Sequence, residues 1–185
     1  MKKCSKCLLP ETYETIEFSD DNTCNICNSV TNIKKNIDWN KRYEELKKIV
    51  FNHKGKKDYD CIIPFSGGKD STFQLLYLIN EFKLKPLVIR FNHGFLRDVT
   101  KENTQRTLRK LGADFLDFTP NWKIVKLLML ESFTRKTDFC WHCHTGIYSY
   151  PVRMAISLKI PLIIWGEPLA EMSAYYSYDE MEKED

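Results

Sequence analysis

The sequence predicts an α/β fold, a doubly wound parallel sheet preceded by a small cysteine-paired module. Three features carry that prediction. Short apolar runs recur at Cys61 to Phe65, Pro86 to Phe91, Asp114 to Phe118 and Ile160 to Trp165, and helical-period segments separate them, as parallel strands joined by crossover helices require. The first run leads through Ser66-Gly67-Gly68-Lys69-Asp70-Ser71 into Thr72 to Ile79, so a Gly-rich turn opens a helix directly after a buried strand. Near the N-terminus, Cys4-x-x-Cys7 and Cys24-x-x-Cys27 have the spacing of a Cys₄ zinc site.

Residues 1–37 therefore read as a zinc ribbon. Each knuckle aims two thiolates at one tetrahedral ion, and a segment this short has too little core to fold alone, so bound Zn²⁺ supplies folding free energy on the order of 10 kcal/mol. A full Cys₄ shell leaves no open position for substrate, which makes the site structural. With 185 residues, 43% of them hydrophobic, the chain can add one sheet domain with a proper core. A net charge of +3 is too small to argue for nucleic acid by itself. Seven cysteines, an odd count, favour metal or reactive thiols over disulfides. No apolar run approaches a bilayer span and no apolar stretch follows Met1-Lys2-Lys3, so the expected location is the cytoplasm, with no membrane partner.

Residues 38–57 read as a helical basic connector. Asp38 is the expected N-cap; Trp39, Tyr43, Leu46, Ile49 and Val50 share a face expected to pack on the domain. The opposite face carries Lys41, Arg42, Lys47 and Lys48, diluted by Glu44 and Glu45, and reads as a solvated surface more readily than as a nucleic-acid patch.

Residues 58–185 read as the sheet domain. After the second strand, Asn92-His93-Gly94 forms the turn at its carboxyl end and borders the same crevice as the Gly-rich loop. A helix from about Val99 to Leu111 is expected to stop at Gly112, ahead of the strand Asp114 to Phe118. Leu127, Leu128, Leu130 and Phe133 mark another helix, read as largely core. Cys140-Trp141-His142-Cys143-His144 opens a helix toward Leu158 that Pro151 must kink or restart. Cys61, inside the first strand, reads as a small buried apolar residue.

The Gly-rich loop carries the chemistry. At a helix N-terminus the unpaired N–H groups and the dipole favour an anion, and two glycines let phosphate approach the backbone closely. Lys69 adds a mobile positive charge, Asp70 offers a carboxylate to Mg²⁺, and Ser71 either caps the helix or touches phosphate. The spacing fits neither a Walker A loop nor a dinucleotide fingerprint. Residue for residue, Ser66 to Ser71 resembles the SGGxDS PP-loop of the N-type ATP pyrophosphatases. That resemblance implies cleavage of ATP between the α and β phosphates, adenylation of a carbonyl-type oxygen, and displacement of AMP by an ammonia or sulfur nucleophile. It implies ATP and Mg²⁺ as cofactors, Lys69 and Asp70 as the catalytic pair, Ser66, Gly67, Gly68, Lys69, Asp70 and Ser71 around the phosphates, and Arg90, Phe91 and Asn92 against the adenosine.

Two further segments bear on the acceptor. Cys140 and Cys143 are half of a second metal site, a cluster ligand pair, a redox pair or a structural element; in the tRNA-thiolating branch of the PP-loop family a C-x-x-C falls at this point in the chain. That branch carries a G-H-x-x-D-D type turn where this chain has Gly166-Glu167-Pro168. With the cysteine module, the Asp60 to Pro64 lead-in, the Cys140 to His144 cluster and the run Tyr175-Tyr176-Ser177-Tyr178, this resembles the N-acetyl sugar amidotransferases of surface-polysaccharide and flagellin-glycan (pseudaminic acid type) synthesis. The implied reaction adenylates an acetamido oxygen of a nucleotide sugar; ammonia from a separate glutamine amidotransferase then gives an acetamidine, AMP and pyrophosphate. Gly166, Glu167 and Glu171 become candidates to hold Mg²⁺ or the sugar. The alternative acceptor is tRNA, nucleic acid being otherwise an unexpected partner. Members of the resembled family continue beyond position 185, so the chain is expected to lack their C-terminal part. A non-catalytic ATP-binding fragment or one subunit of a split enzyme is the remaining alternative.

Overall fold

The computed structural model describes residues 1–13 and 15–166, without the side chains of residues 33–36. Two compact units divide between Lys48 and Ile49. In the first, antiparallel bridges join Lys3 to Pro10 and Phe18 to Cys24, and Cys4 and Cys24 are fully buried. Cys24 then caps α1 (Asn25–Asn36), its Sγ accepting from the Cys27 N–H. The second knuckle thus opens a helix, not a ribbon strand, because N–H···S bonding at the cap satisfies the first helical turn.

The helix α2 (Trp39–His53) crosses the division. Asp38 Oδ1 accepts from the Asn40 and Lys41 N–H groups at 3.1 and 3.0 Å, the expected cap. Of the apolar face only Val50 is buried, while Trp39 is 66% exposed; helical spacing establishes a shared face but not a cover for it. Arg42 pairs with Glu45 and Lys47 with Glu44, so two of the four cations of this face meet carboxylates on the same helix.

The second unit is built on three parallel strands, β1 (Cys61–Pro64), β2 (Pro86–Phe91) and β3 (Asp114–Phe118), in the order β1-β2-β3. Helices α3 (Lys69–Phe82) and α4 (Asp98–Leu111) make the first two crossovers. α4 stops at Gly112 in the left-handed region, φ 63°, as its position predicts. After β3 come α5 (Trp122–Lys136) and α6 (Trp141–Leu158). The chain then returns beside β1, on the side away from β2: the Ile62 N–H donates to Leu162 O at 2.8 Å and the Ile164 N–H to Ile62 O at 3.0 Å. The expected strand from Ile160 to Trp165 is thereby reduced to a bridge at Ile163, since Pro161 has no N–H to give to a ladder.

Alternation along β2 sorts the layers. Leu87 and Ile89 join Ile62, Ala155 and Ile160 in the core beneath α6, with Tyr150 and Met154 packed against it. Arg90, on the other face, meets Thr104 of α4. Helices therefore cover both faces, and strand order reverses at β1, which makes its carboxyl end a topological switch point. α6 runs unbroken through the fully buried Pro151. Its close approach to the sheet depends on Gly146, where a Cβ would lie 2.3 Å from the Phe91 ring.

A further expectation is corrected. Leu127, Leu128, Leu130 and Phe133 of α5 are exposed, at 64, 39, 60 and 57%, and only Val125 and Ser132 of that helix are buried. Apolar side chains surround α5 on every side, so their spacing mimics a core face without selecting one.

Gly146→Val is expected to lower stability by about 2 kcal/mol through overpacking against Phe91, with partial recovery in Gly146→Val/Phe91→Leu. Urea denaturation of the wild type, both single variants and the double variant checks this; additive losses would show that the two sites are not in contact.

Candidate functional site

The Ser66–Ser71 loop leaves the carboxyl end of β1 and is held from three sides. Gly67 has φ +80°, and a Cβ there would lie 2.5 Å from Thr104 Oγ1 and 3.1 Å from Thr100 Cγ2, so α4 leaves room only for glycine. Asn103 Nδ2 donates to Gly67 O at 3.2 Å. Ser66 Oγ accepts from the Gly68 N–H at 3.2 Å and lies 3.1 Å from Ser71 Oγ. Gly68 is the N-cap of α3 and gives no side-chain cap bond. Ser71 is thus not the cap; it sits in the first turn, buried, with its hydroxyl toward Ser66 and Gly68 O. The Lys69, Asp70 and Ser71 N–H groups lie where an α-helix has no internal acceptor, which is the donor set an oxyanion needs. Lys69 is extended into solvent at 91% side-chain exposure, its Nζ 3.7 Å from Asp70 Oδ1.

Between this loop and the ends of β2 and α6 lies a cleft of about 180 Å³, lined by Ser66, Ser71, Phe91, His93, Tyr148 and Trp165 among others. Tyr148 and Trp165 face each other with ring centres 5.3 Å apart. Arg90 borders the cleft, yet its buried guanidinium is bound to Asp117 on β3 and donates to Thr104 Oγ1 at 3.3 Å. Asn92, the third residue expected against adenosine, donates through its side chain to Thr119 Oγ1 and accepts the Gly94 N–H. Burial, with His142 and Arg90 nearby, holds His93 below the usual imidazole range, so it is neutral at pH 7. Gly166 closes the cleft against α3: a Cβ there would lie 2.8 Å from Gln74 Oε1. Both Gln74 amide atoms are buried without a partner. Glu167, Pro168, Glu171 and the tyrosines from Tyr175 to Tyr178 lie outside the described residues.

α6 precedes a segment parallel to β1, so its N-terminus lies at the carboxyl end of the sheet. Cys140 caps that end and Cys143 is buried one turn on, its thiol pushed up to about 11 by burial and by Cys140 beside it. His142 is 5% exposed, and its Nε2 has no partner. Cys61 is fully buried, its thiol pushed up to about 12 by burial, which fits a packing role. Sequence reasoning missed Tyr148, Trp165 and Gln74, since single aromatic or amide residues carry no spacing signal.

In the first unit the four sulfurs of Cys4, Cys7, Cys24 and Cys27 all lie within 4.8 Å of one another. Cys4 to Cys27 is 3.9 Å and Cys7 to Cys24 is 3.7 Å. Tetrahedral Zn–S bonds of about 2.3 Å place sulfurs about 3.8 Å apart, so the set fits such an ion. Burial opposes ionisation of Cys4, but N–H donors from Cys7, Cys24 and Lys6 outweigh it and bring the thiol to about 6. Those donors are the outer-shell bonds that a thiolate cage needs.

No protein-family model matches the chain. An uncharacterized protein of Methanocaldococcus jannaschii is 28% identical over 170 residues, 90% of this chain and 59% of the relative, so the chain spans about three-fifths of that protein. The ammonia-dependent NAD synthetase of Campylobacter jejuni superposes with a TM-score of 0.56 at 15% identity, over 76% of this chain and 62% of that one. A U34-tRNA thiolase of Methanococcus maripaludis with its 4Fe–4S cluster gives 0.48 at 20% identity, over 92% and 56%. No helix among the described residues is long and apolar enough to cross a membrane.

Two outcomes are expected at these sites. Metal analysis should find a metal bound at the four cysteines, lost in Cys24→Ser. Gly67→Ala should cost about 1–3 kcal/mol by forcing a Cβ into a positive-φ site against Thr104, measured by thermal melting. The chain has an α/β parallel-sheet fold resembling the PP-loop, adenine-nucleotide α-hydrolase type, with an N-terminal cysteine cluster suited to a metal ion.

Proposed function

We propose that the cleft binds ATP and transfers its AMP moiety to a carbonyl-type oxygen of an acceptor, releasing pyrophosphate. One observation carries this: the loop from Ser66 to Ser71 opens α3 at the switch point of the sheet, with unbonded N–H groups of the first turn beside a cleft. Gly67 and Gly68 let the polyphosphate reach those groups. Lys69 supplies the mobile charge that neutralises departing pyrophosphate, and Asp70 holds Mg²⁺, which neutralises phosphate charge when bound. Phe91 and Asn92 lie against the adenosine, and Arg90 positions that wall through Asp117 and Thr104.

The acceptor reading we favour is a tRNA nucleobase, with sulfur displacing AMP. Its support is the Cys140 and Cys143 pair, one helical turn apart at the carboxyl end of the sheet. A second reading, amidation of an N-acetyl sugar with ammonia from a separate glutaminase, rests on Gly166-Glu167-Pro168 in place of the thiolase turn. In both, the adenylate turns a poor leaving oxygen into AMP, and the cleft must exclude water until the nucleophile arrives.

The test is AMP release from ATP with either unmodified tRNA plus sulfide or N-acetylated nucleotide sugars plus ammonium. AMP dependent on tRNA, reduced at least 100-fold in Lys69→Ala, is the expected result. Cys140→Ser/Cys143→Ser should keep adenylation and lose sulfur incorporation. Sugar-dependent AMP with tRNA silent would move the assignment to the second reading.

A further inference from the structure

The rim of the cleft carries aromatic side chains that the adenylation chemistry does not use. His93, already on the cleft wall, stacks on Phe95 with ring centres 5.9 Å apart and planes 21° apart. Phe95 in turn meets the edge of Trp122, the first residue of α5, at 5.8 Å. The two segments are seated closely: a Cβ on Gly94 would lie 3.0 Å from the Trp122 ring. Even so, Phe95 and Trp122 remain 49 and 46% exposed. An apolar pair that is fixed in place yet half open to water offers flat faces to a ligand rather than completing a core.

Cations flank this pair along the chain, Arg97 two residues beyond Phe95 and Lys123 next to Trp122. Lys126 Nζ lies over Trp122 at 5.9 Å. Arg97 and Lys123 are exposed, and neither is in an ion pair among the described residues. Of the carboxylates in the adjoining segments, Asp98 pairs with Lys101 and Asp117 with Arg90. Flat apolar faces interleaved with unpaired positive charge match a chain of unstacked bases on a phosphate backbone. A protein surface would supply the apolar contact but leave Arg97, Lys123 and Lys126 to find carboxylates of its own, and a free sugar would use neither the length of the row nor its charge.

We propose that His93, Phe95 and Trp122 form a stacking platform for single-stranded RNA, with Arg97, Lys123 and Lys126 on its phosphates, leading an unpaired base into the cleft. This deepens the tRNA reading and rests on it for the fate of that base. Binding itself is independent of ATP chemistry.

Fluorescence anisotropy of a labelled 12-nucleotide oligouridine, without ATP, tests it. Expected are saturable binding that quenches tryptophan fluorescence, and weakening of about tenfold in each of Phe95→Ala and Trp122→Ala. Lys123→Glu/Lys126→Glu should weaken binding and flatten its salt dependence by about 1.4 in log–log slope, about 0.7 for each phosphate no longer neutralised. Thermal melts of the variants establish that they fold. No binding at 50 mM salt, or binding indifferent to both aromatic substitutions, overturns the platform. So does a self-association that Trp122→Ala abolishes in a protein that ignores RNA. AMP release from ATP and tRNA without oligouridine binding would leave adenylation standing and remove the platform; RNA binding without AMP release would do the reverse.

Discussion

Gly67 occupies a point where no side chain fits, and much of the candidate site follows from that constraint. Its Cα faces Thr104 so closely that a Cβ would collide with the hydroxyl, and its carbonyl is held by Asn103 of the same helix. Thr104 is itself fixed: its hydroxyl donates to Thr100 O at 2.8 Å and accepts from Arg90, whose guanidinium is bound to Asp117. The buried charge of Arg90 is tolerable because a carboxylate and a hydroxyl both meet it. β2, β3, α4 and the loop after β1 are therefore tied through one polar chain at the carboxyl edge of the sheet. The turn cannot relax toward α4, so its N–H groups stay directed outward.

The far end of the sheet is tied by a different device. Asp60 is buried, and its two carboxylate oxygens accept from the Gly55 and Lys85 N–H groups at 2.6 and 2.7 Å. That carboxylate joins the chain entering β1 to the chain entering β2 by charge-assisted bonds. Strong backbone ties at the amino edge and a side-chain network at the carboxyl edge let the apolar middle, Ile62, Leu87 and Ile89, remain free of polar groups.

What was legible in the sequence had a local cause. The loop was readable because paired glycines between a strand and a helix answer a steric demand, and β1 and β2 because buried parallel strands are largely apolar on both faces. Gly112 and Asp38 were readable because caps depend on neighbouring residues only. Arg90 was not: its place in the second strand puts it beside the cleft, but the period of two turns its side chain toward α4 and Asp117. α5 was misread because apolar residues on every side contain the spacing of a core face. The segment after Ile160 lost its ladder to a single proline. The rim escaped notice since Phe95 and Trp122 are distant in sequence and meet only through the fold.

That last point bears on where specificity resides. The network of Gly67, Thr104, Arg90 and Asp117 holds a loop, and a loop that would cradle phosphates by backbone N–H groups is, on the proposed function, indifferent to what accepts the AMP. Discrimination must come from side chains beyond it. On the proposed reading the candidates are of two kinds: the group at the start of α6, with Cys140, His142 and Cys143, and an aromatic and basic rim formed by the turn after β2 and the start of α5. All three segments begin at the carboxyl edge because a parallel sheet delivers every outgoing turn, and every returning helix start, to that same edge. The fold thus separates two tasks physically: a buried polar chain beneath the loop fixes the loop itself, and under the proposed function the segments around it are free to differ in what they recognise.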